Sequence, residues 1–129
     1  MLLKDKYYKI MKETRLDANT GVYLVTLLPQ ADVYRGHFPQ NPVCPGACNI
    51  EMIRECAEML TGYDLSIDTI KQCRLTAIAT PQLCPLVDVT IQVARVEGTE
   101  TYNVVGRIAD KETTYMELKG TFGVKPINR

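Results

Sequence analysis

The sequence predicts an α+β fold, with one helix set against a predominantly antiparallel sheet. Three observations carry that expectation. The chain has a single strong helical pattern. Around it lie several stretches rich in β-formers and separated by turn residues. Its 129 residues are the length of one domain, residues 1–129, which buries roughly two thirds of its chain surface without help from disulfides or metals.

Taken in order, residues 6–16 mix β-formers with charges and are a candidate first strand. Residues 21–28 (Gly-Val-Tyr-Leu-Val-Thr-Leu-Leu) are rich in β-branched and aromatic side chains and form the second. Asp17, Asn19 and Gly21 lie between the two and suit a hairpin turn. Residues 29–46 hold Pro29, Pro39, Pro42, Pro45, Gly36 and Gly46, the composition of an ordered loop without regular structure. Loops of that length inside a compact domain are often functional. A helix follows over residues 46–60, where Ile50, Ile53, Ala57 and Leu60 make one apolar stripe and Gly62 supplies a stop. Residues 69–80, 87–97, 100–109 and 113–124 are the remaining strand candidates. Residues 87–93 alternate apolar and polar, and Gly98 and Asp110-Lys111 fall where hairpin turns are needed.

Composition narrows the function classes. Lysine plus arginine and aspartate plus glutamate both number 15, so the net charge is zero. That argues against nucleic acid as the main partner. No apolar run reaches membrane-spanning length, and the opening residues carry no signal-peptide pattern. The five cysteines form no disulfide framework and read as reduced thiols of a cytoplasmic protein.

Chemistry concentrates between Tyr34 and Glu51. His37, the only histidine, sits in the proline-fixed loop and titrates near neutrality. Gly46 opens the helix, whose first amides lack internal partners and can stabilise a developing oxyanion. Glu51 lies just over one turn further on and can carry a second proton. Base, acid and oxyanion donor are what an elimination beside a carbonyl needs. Each residue also has an ordinary reading. A loop histidine is usually a polar surface residue, and Pro45-Gly46 can be a helix-entry turn. Glu51, Glu55 and Glu58 share a face nearly opposite Ile53 and Leu60, most simply a solvated one. His37, Cys44 and Cys48 match no strong zinc spacing, so no metal is expected.

The motif Gly36-His-Phe-Pro-x-x-Pro-Val-x-Pro-Gly46, followed by Glu51, resembles the signature of the 3-hydroxyacyl-acyl-carrier-protein dehydratases of fatty-acid synthesis. The resemblance implies a hot-dog fold, in which a curved antiparallel sheet wraps one long central helix. It implies that His37 removes a proton beside the thioester carbonyl, that the Gly46 amide binds the carbonyl oxygen, and that Glu51 protonates the departing hydroxyl. It also implies an apolar acyl tunnel, for which Phe38, Pro39, Val43, Ile50 and Ile53 are candidates, each equally a core residue. Acyl carrier protein is the implied partner, and Arg35, Lys71 and Arg74 are candidate contacts for it. No cofactor is implied beyond the phosphopantetheine arm that carries the substrate. A homodimer is implied, with histidine and acid drawn from different subunits.

Two features depart from the family pattern. Glu55 stands where relatives often have Gln, and residues 80–88 replace a common Pro-Gly-Asp turn. The second change falls in a region that shapes the tunnel in relatives, so a specialised acyl substrate is expected. The competing readings are a hot-dog thioesterase, which the His-Phe-Pro loop disfavours, and a non-catalytic binding partner of acyl carrier protein.

Overall fold

The computed structural model describes residues 1–35, 44–82 and 84–126. Six strands form one sheet: β1 (Tyr8–Asp17), β2 (Thr20–Leu27), β3 (Leu65–Leu75), β4 (Leu86–Arg95), β5 (Thr101–Ala109) and β6 (Thr114–Val124). Their order is β1-β2-β4-β5-β6-β3, and every neighbouring pair is antiparallel. The single α-helix, α1 (Gly46–Thr61), packs against β2, β3, β4 and β5. This is the hot-dog architecture, with the helix on the inner face of the sheet.

Period-two alternation explains which face is inner. Tyr23, Val25 and Leu27 of β2, Val87, Val89, Ile91 and Val93 of β4, and Met116, Leu118 and Phe122 of β6 are buried, as are Tyr102, Val104 and Ile108 of β5. The helix answers with Met52, Ile53, Cys56, Ala57 and Leu60. Gly106 lets it lie directly on β5: a Cβ there would sit 2.6 Å from Ile53 Cγ2. At Gly120 a Cβ would meet the Thr69 carbonyl oxygen at 2.3 Å, so the irregular β3–β6 pairing also depends on glycine.

The turns use the expected residues. Asp17 Oδ1 accepts from the Asn19 amide at 2.8 Å, and Asp110 Oδ1 accepts from Glu112 and Thr113. Gly98 and Gly62 take positive φ, 75° and 78°, the latter closing α1. Arg15 of β1 adds a second closure by donating to the carbonyls of Met59 and Leu60.

Two elements differ from the sequence reading. The third strand is Leu65–Leu75 rather than 69–80, because pairing with β6 starts at Leu65 opposite Val124 and ends at Leu75 opposite Met116. Beyond it the chain leaves the sheet to pass the helix start, where the Cys44 amide donates to the Ala79 carbonyl at 2.8 Å. Within the proline-rich segment, Asp32–Arg35 forms one 3-10 turn. Among the described residues, no helix is long and apolar enough to cross a membrane.

Candidate active site

The start of α1 has no side-chain cap among the described residues. Pro45 holds the N-cap position in extended geometry, and the first turn of the helix carries no acid. The leading amides therefore keep their donors and their share of the helix dipole. Gly46 is half-buried, and a Cβ on it would reach only Leu75, at 3.6 Å. That is ordinary contact, so packing among the described residues does not require glycine there. Close approach of a ligand to the backbone is what the missing side chain permits.

Glu51 projects from the second turn with its side chain 30% exposed. Its Oε1 accepts two hydrogen bonds from Arg54, one from Nε at 2.9 Å and a shorter one from Nη2. Arg54 is itself anchored. Its Nη1 donates to the Leu65 carbonyl and forms an ion pair with Glu58 Oε2, both at 2.9 Å. Glu58 Oε2 also accepts the Leu65 amide at 2.8 Å. Bonding to Glu51 holds the Arg54 guanidinium above its ordinary range against the opposing effect of burial, and Glu58 adds to the rise.

The acids of α1 thus have three different environments. Glu58 is buried and paired, and Glu55 is fully buried. Glu55 accepts the amides of Leu2, Leu3 and Lys4 at 3.0 Å and the Tyr8 hydroxyl at 2.8 Å. The reading of this face as solvated is therefore corrected for Glu55 and Glu58. Glu55 finds its partners in the N-terminal segment and at the start of β1, and Glu58 adds the Leu65 amide of β3 to its pair with Arg54; of these, helical periodicity reveals only Arg54.

His37, Phe38, Pro39 and Val43 lie outside the described residues. The chain on either side of them is tied together. The Tyr34 hydroxyl and Cys44 Sγ are 3.3 Å apart. The Tyr7 ring stands 6.2 Å from that of Tyr34, and its hydroxyl donates to Asn49 Oδ1 at 2.7 Å. One tyrosine of the N-terminal segment thereby touches both flanks of the histidine loop. Burial pushes the Cys44 thiol up, against the lowering effect of its hydrogen bonds with Tyr34 and Tyr7. Burial raises the neighbouring Cys48 too, helped by Cys44 and Glu51.

Ile50 is partly buried on the edge of the core, and Ile53 is fully buried against Gly106. Lys71 and Arg74 are exposed on β3. In place of a Pro-Gly-Asp turn, the Cys84 amide donates to the Thr80 carbonyl at 2.9 Å, and the Thr80 amide donates to Cys84 Sγ at 3.1 Å. Among the described residues no group of three His, Cys, Asp or Glu side chains is placed to hold a metal.

Sequence reasoning did not single out Arg54, Tyr7, Tyr34 or Asn49. Arg54 carried a legible signal, since it stands three residues after Glu51 and four before Glu58. The tyrosine contacts cross the chain and left none.

Solved structures share the architecture. One is the dehydratase heterocomplex ApeI:P from Xenorhabdus doucetiae, at 19% identity and a TM-score of 0.69, covering 89% of this chain and 96% of that one. A sigma28-regulated virulence protein from Campylobacter jejuni aligns at 11% identity and a TM-score of 0.66, covering 90% and 84%. An uncharacterized protein from Erwinia carotovora subsp. atroseptica aligns at 14% identity and a TM-score of 0.56, covering 92% and 94%. No curated protein matches in sequence. The model of the ApeI-like family, described as ApeI dehydratase, matches residues 13–116, from β1 into β6. The chain therefore belongs to the ApeI-like dehydratase family.

Proposed function

We propose that this protein removes water from a 3-hydroxyacyl thioester carried on acyl carrier protein, giving the trans-2-enoyl thioester. Family membership makes dehydration in acyl-chain biosynthesis the reaction class. The observation that carries the finer reading is the start of α1. An uncapped amide row with room at Gly46 is followed, one turn on, by the partly exposed Glu51 carboxyl. His37 takes the proton from C2, and the negative charge that develops on the thioester oxygen is held by the Gly46 amide. The C3–O bond breaks as Glu51 gives its proton to the hydroxyl, C2 and C3 become doubly bonded, and water leaves. Phe38, Pro39, Val43, Ile50 and Ile53 line the acyl path in this reading. Arg35, Lys71 and Arg74 meet the acidic carrier protein. No cofactor takes part.

The proposed assembly is a homodimer in a reducing, cytoplasmic setting. Two features support this. All five cysteines are free. β3 is an edge strand, and Ile70, Leu75 and Ile78 on or just beyond it are 42%, 66% and 71% exposed. A second copy along β3 would cover that apolar surface and stand beside Gly46, which Leu75 neighbours. The Xenorhabdus dehydratase occurs in a heterocomplex, so an unlike partner chain is the alternative assembly.

The test is mass spectrometry of purified protein with 3-hydroxyacyl carrier-protein substrates of several lengths. Loss of one water is expected, with His37→Ala slower by roughly 10²–10⁴-fold. Release of free acid instead would indicate a thioesterase. A folded protein that changes none of these substrates would leave a carrier-protein binding role.

A further inference from the structure

We infer that Arg54 is the positioning residue for Glu51, fixing one carboxyl oxygen so that the other faces the reacting hydroxyl. The inference rests on the dehydratase reading of Glu51. Both hydrogen bonds from Arg54 go to Oε1, and among the described residues Oε2 accepts none. The guanidinium is not a loose surface partner, because its side chain is only 12% exposed. Its Nη1 donates to the Leu65 carbonyl at the head of β3 and pairs with Glu58. The chain of contacts runs from a sheet strand through Glu58 and Arg54 to Glu51, so the carboxyl is aimed by the frame of the fold.

The planar fork of arginine suits this task. Two N–H bonds on one oxygen fix direction as well as distance, which the single ammonium of lysine cannot do. A proton donor is effective only within hydrogen-bond reach of its acceptor, so misdirecting the carboxyl slows chemistry more than binding. Among the described residues, Arg54 is the cation paired with Glu51. The other titratable groups facing Glu51 among the described residues are Cys48, within electrostatic range, and Glu58 and Glu55, which share the guanidinium.

The test compares Arg54→Gln and Arg54→Lys with wild type in the water-loss assay, beside thermal melting. For Arg54→Gln we expect kcat to fall at least tenfold while KM stays within about threefold. Arg54→Lys should recover only part of kcat, and it serves alone if Arg54→Gln does not fold. A folded Arg54→Gln, or failing that Arg54→Lys, with kcat within twofold of wild type would overturn the inference. Exchange of the Arg54 Nε–H proton, with its signal assigned by Arg54→Lys, needs no substrate. Slow exchange in wild type that is lost in Glu51→Ala supports the tether even where no dehydration is found, and equally fast exchange in both overturns it.

Discussion

At the scale of the residue, Glu55 shows how one carboxylate can close a fold. Its Oε2 accepts the amides of Leu2 and Leu3, and its Oε1 accepts the Lys4 amide and the Tyr8 hydroxyl. Every partner donates, so only a group with two acceptor oxygens satisfies the site. Glu55→Gln replaces one oxygen with a second donor and sets donor against donor. The expected loss is about 2 kcal/mol, within the usual cost of leaving a partly buried polar group unmet. It should appear as a lower urea midpoint, with faster hydrogen exchange at the amides of residues 2–4. An unchanged midpoint would mean that the N-terminal segment is not held this way. The sequence marks Glu55 only as a departure from the family's Gln. Its structural reason lies about fifty residues away, where no spacing rule along the helix can point.

At the scale of the element, α1 is the most legible part of the chain. Its apolar stripe, its glycine stop and its start at Gly46 all follow from local pattern. The hairpin turns at Asp17, Gly98 and Asp110 were equally readable, since each is closed by its own side chain or by a backbone angle that glycine favours. β3 was less so. Its ends are set by β6, a partner about fifty residues further along, and five of its positions from Thr69 to Cys73 are exposed rather than alternating. For the site, the helix start separates stability from chemistry. Among the described residues, Gly46→Ala places a methyl in ordinary contact with Leu75 and nothing tighter. Alanine is also the better helix former by about 1 kcal/mol in a helix interior. The variant should therefore melt at or slightly above the wild-type temperature. It should lose tenfold or more in dehydration, because in the proposed reaction the methyl stands where the thioester oxygen approaches. Equal activity would remove Gly46 from the oxyanion role, whereas a large drop in melting temperature would make the glycine structural.

At the scale of the whole molecule, the core around the candidate site is unusually rich in weak acids. Tyr7, Tyr8, Tyr34, Cys44 and Cys56 are all buried. Burial is the leading cause of the upward shift of each one, from ordinary values of 10.0 for tyrosine and 9.0 for cysteine. These groups are neutral when protonated, so the sign follows directly. Below about pH 8 both folded and unfolded chains keep these protons, and the groups leave stability flat with pH. Above the ordinary thiol and phenol values the unfolded chain releases protons that the folded chain retains. The folded state then binds more protons, and stability falls as pH rises. For a fully buried group such as Cys56, the slope approaches about 1.4 kcal/mol per pH unit. Denaturant midpoints measured from pH 7 to pH 11 should hold nearly level at first and then decline from about pH 9. A level profile to pH 11 would mean that these side chains reach water in the native state. Composition reveals seven tyrosines and five cysteines, but not that the folded chain gathers this subset around one helix and the flanks of the histidine loop. The same packing that makes the fold sensitive to alkali keeps Tyr34 and Cys44 neutral and in contact, and so keeps the two ends of that loop together at the pH where His37 is proposed to work.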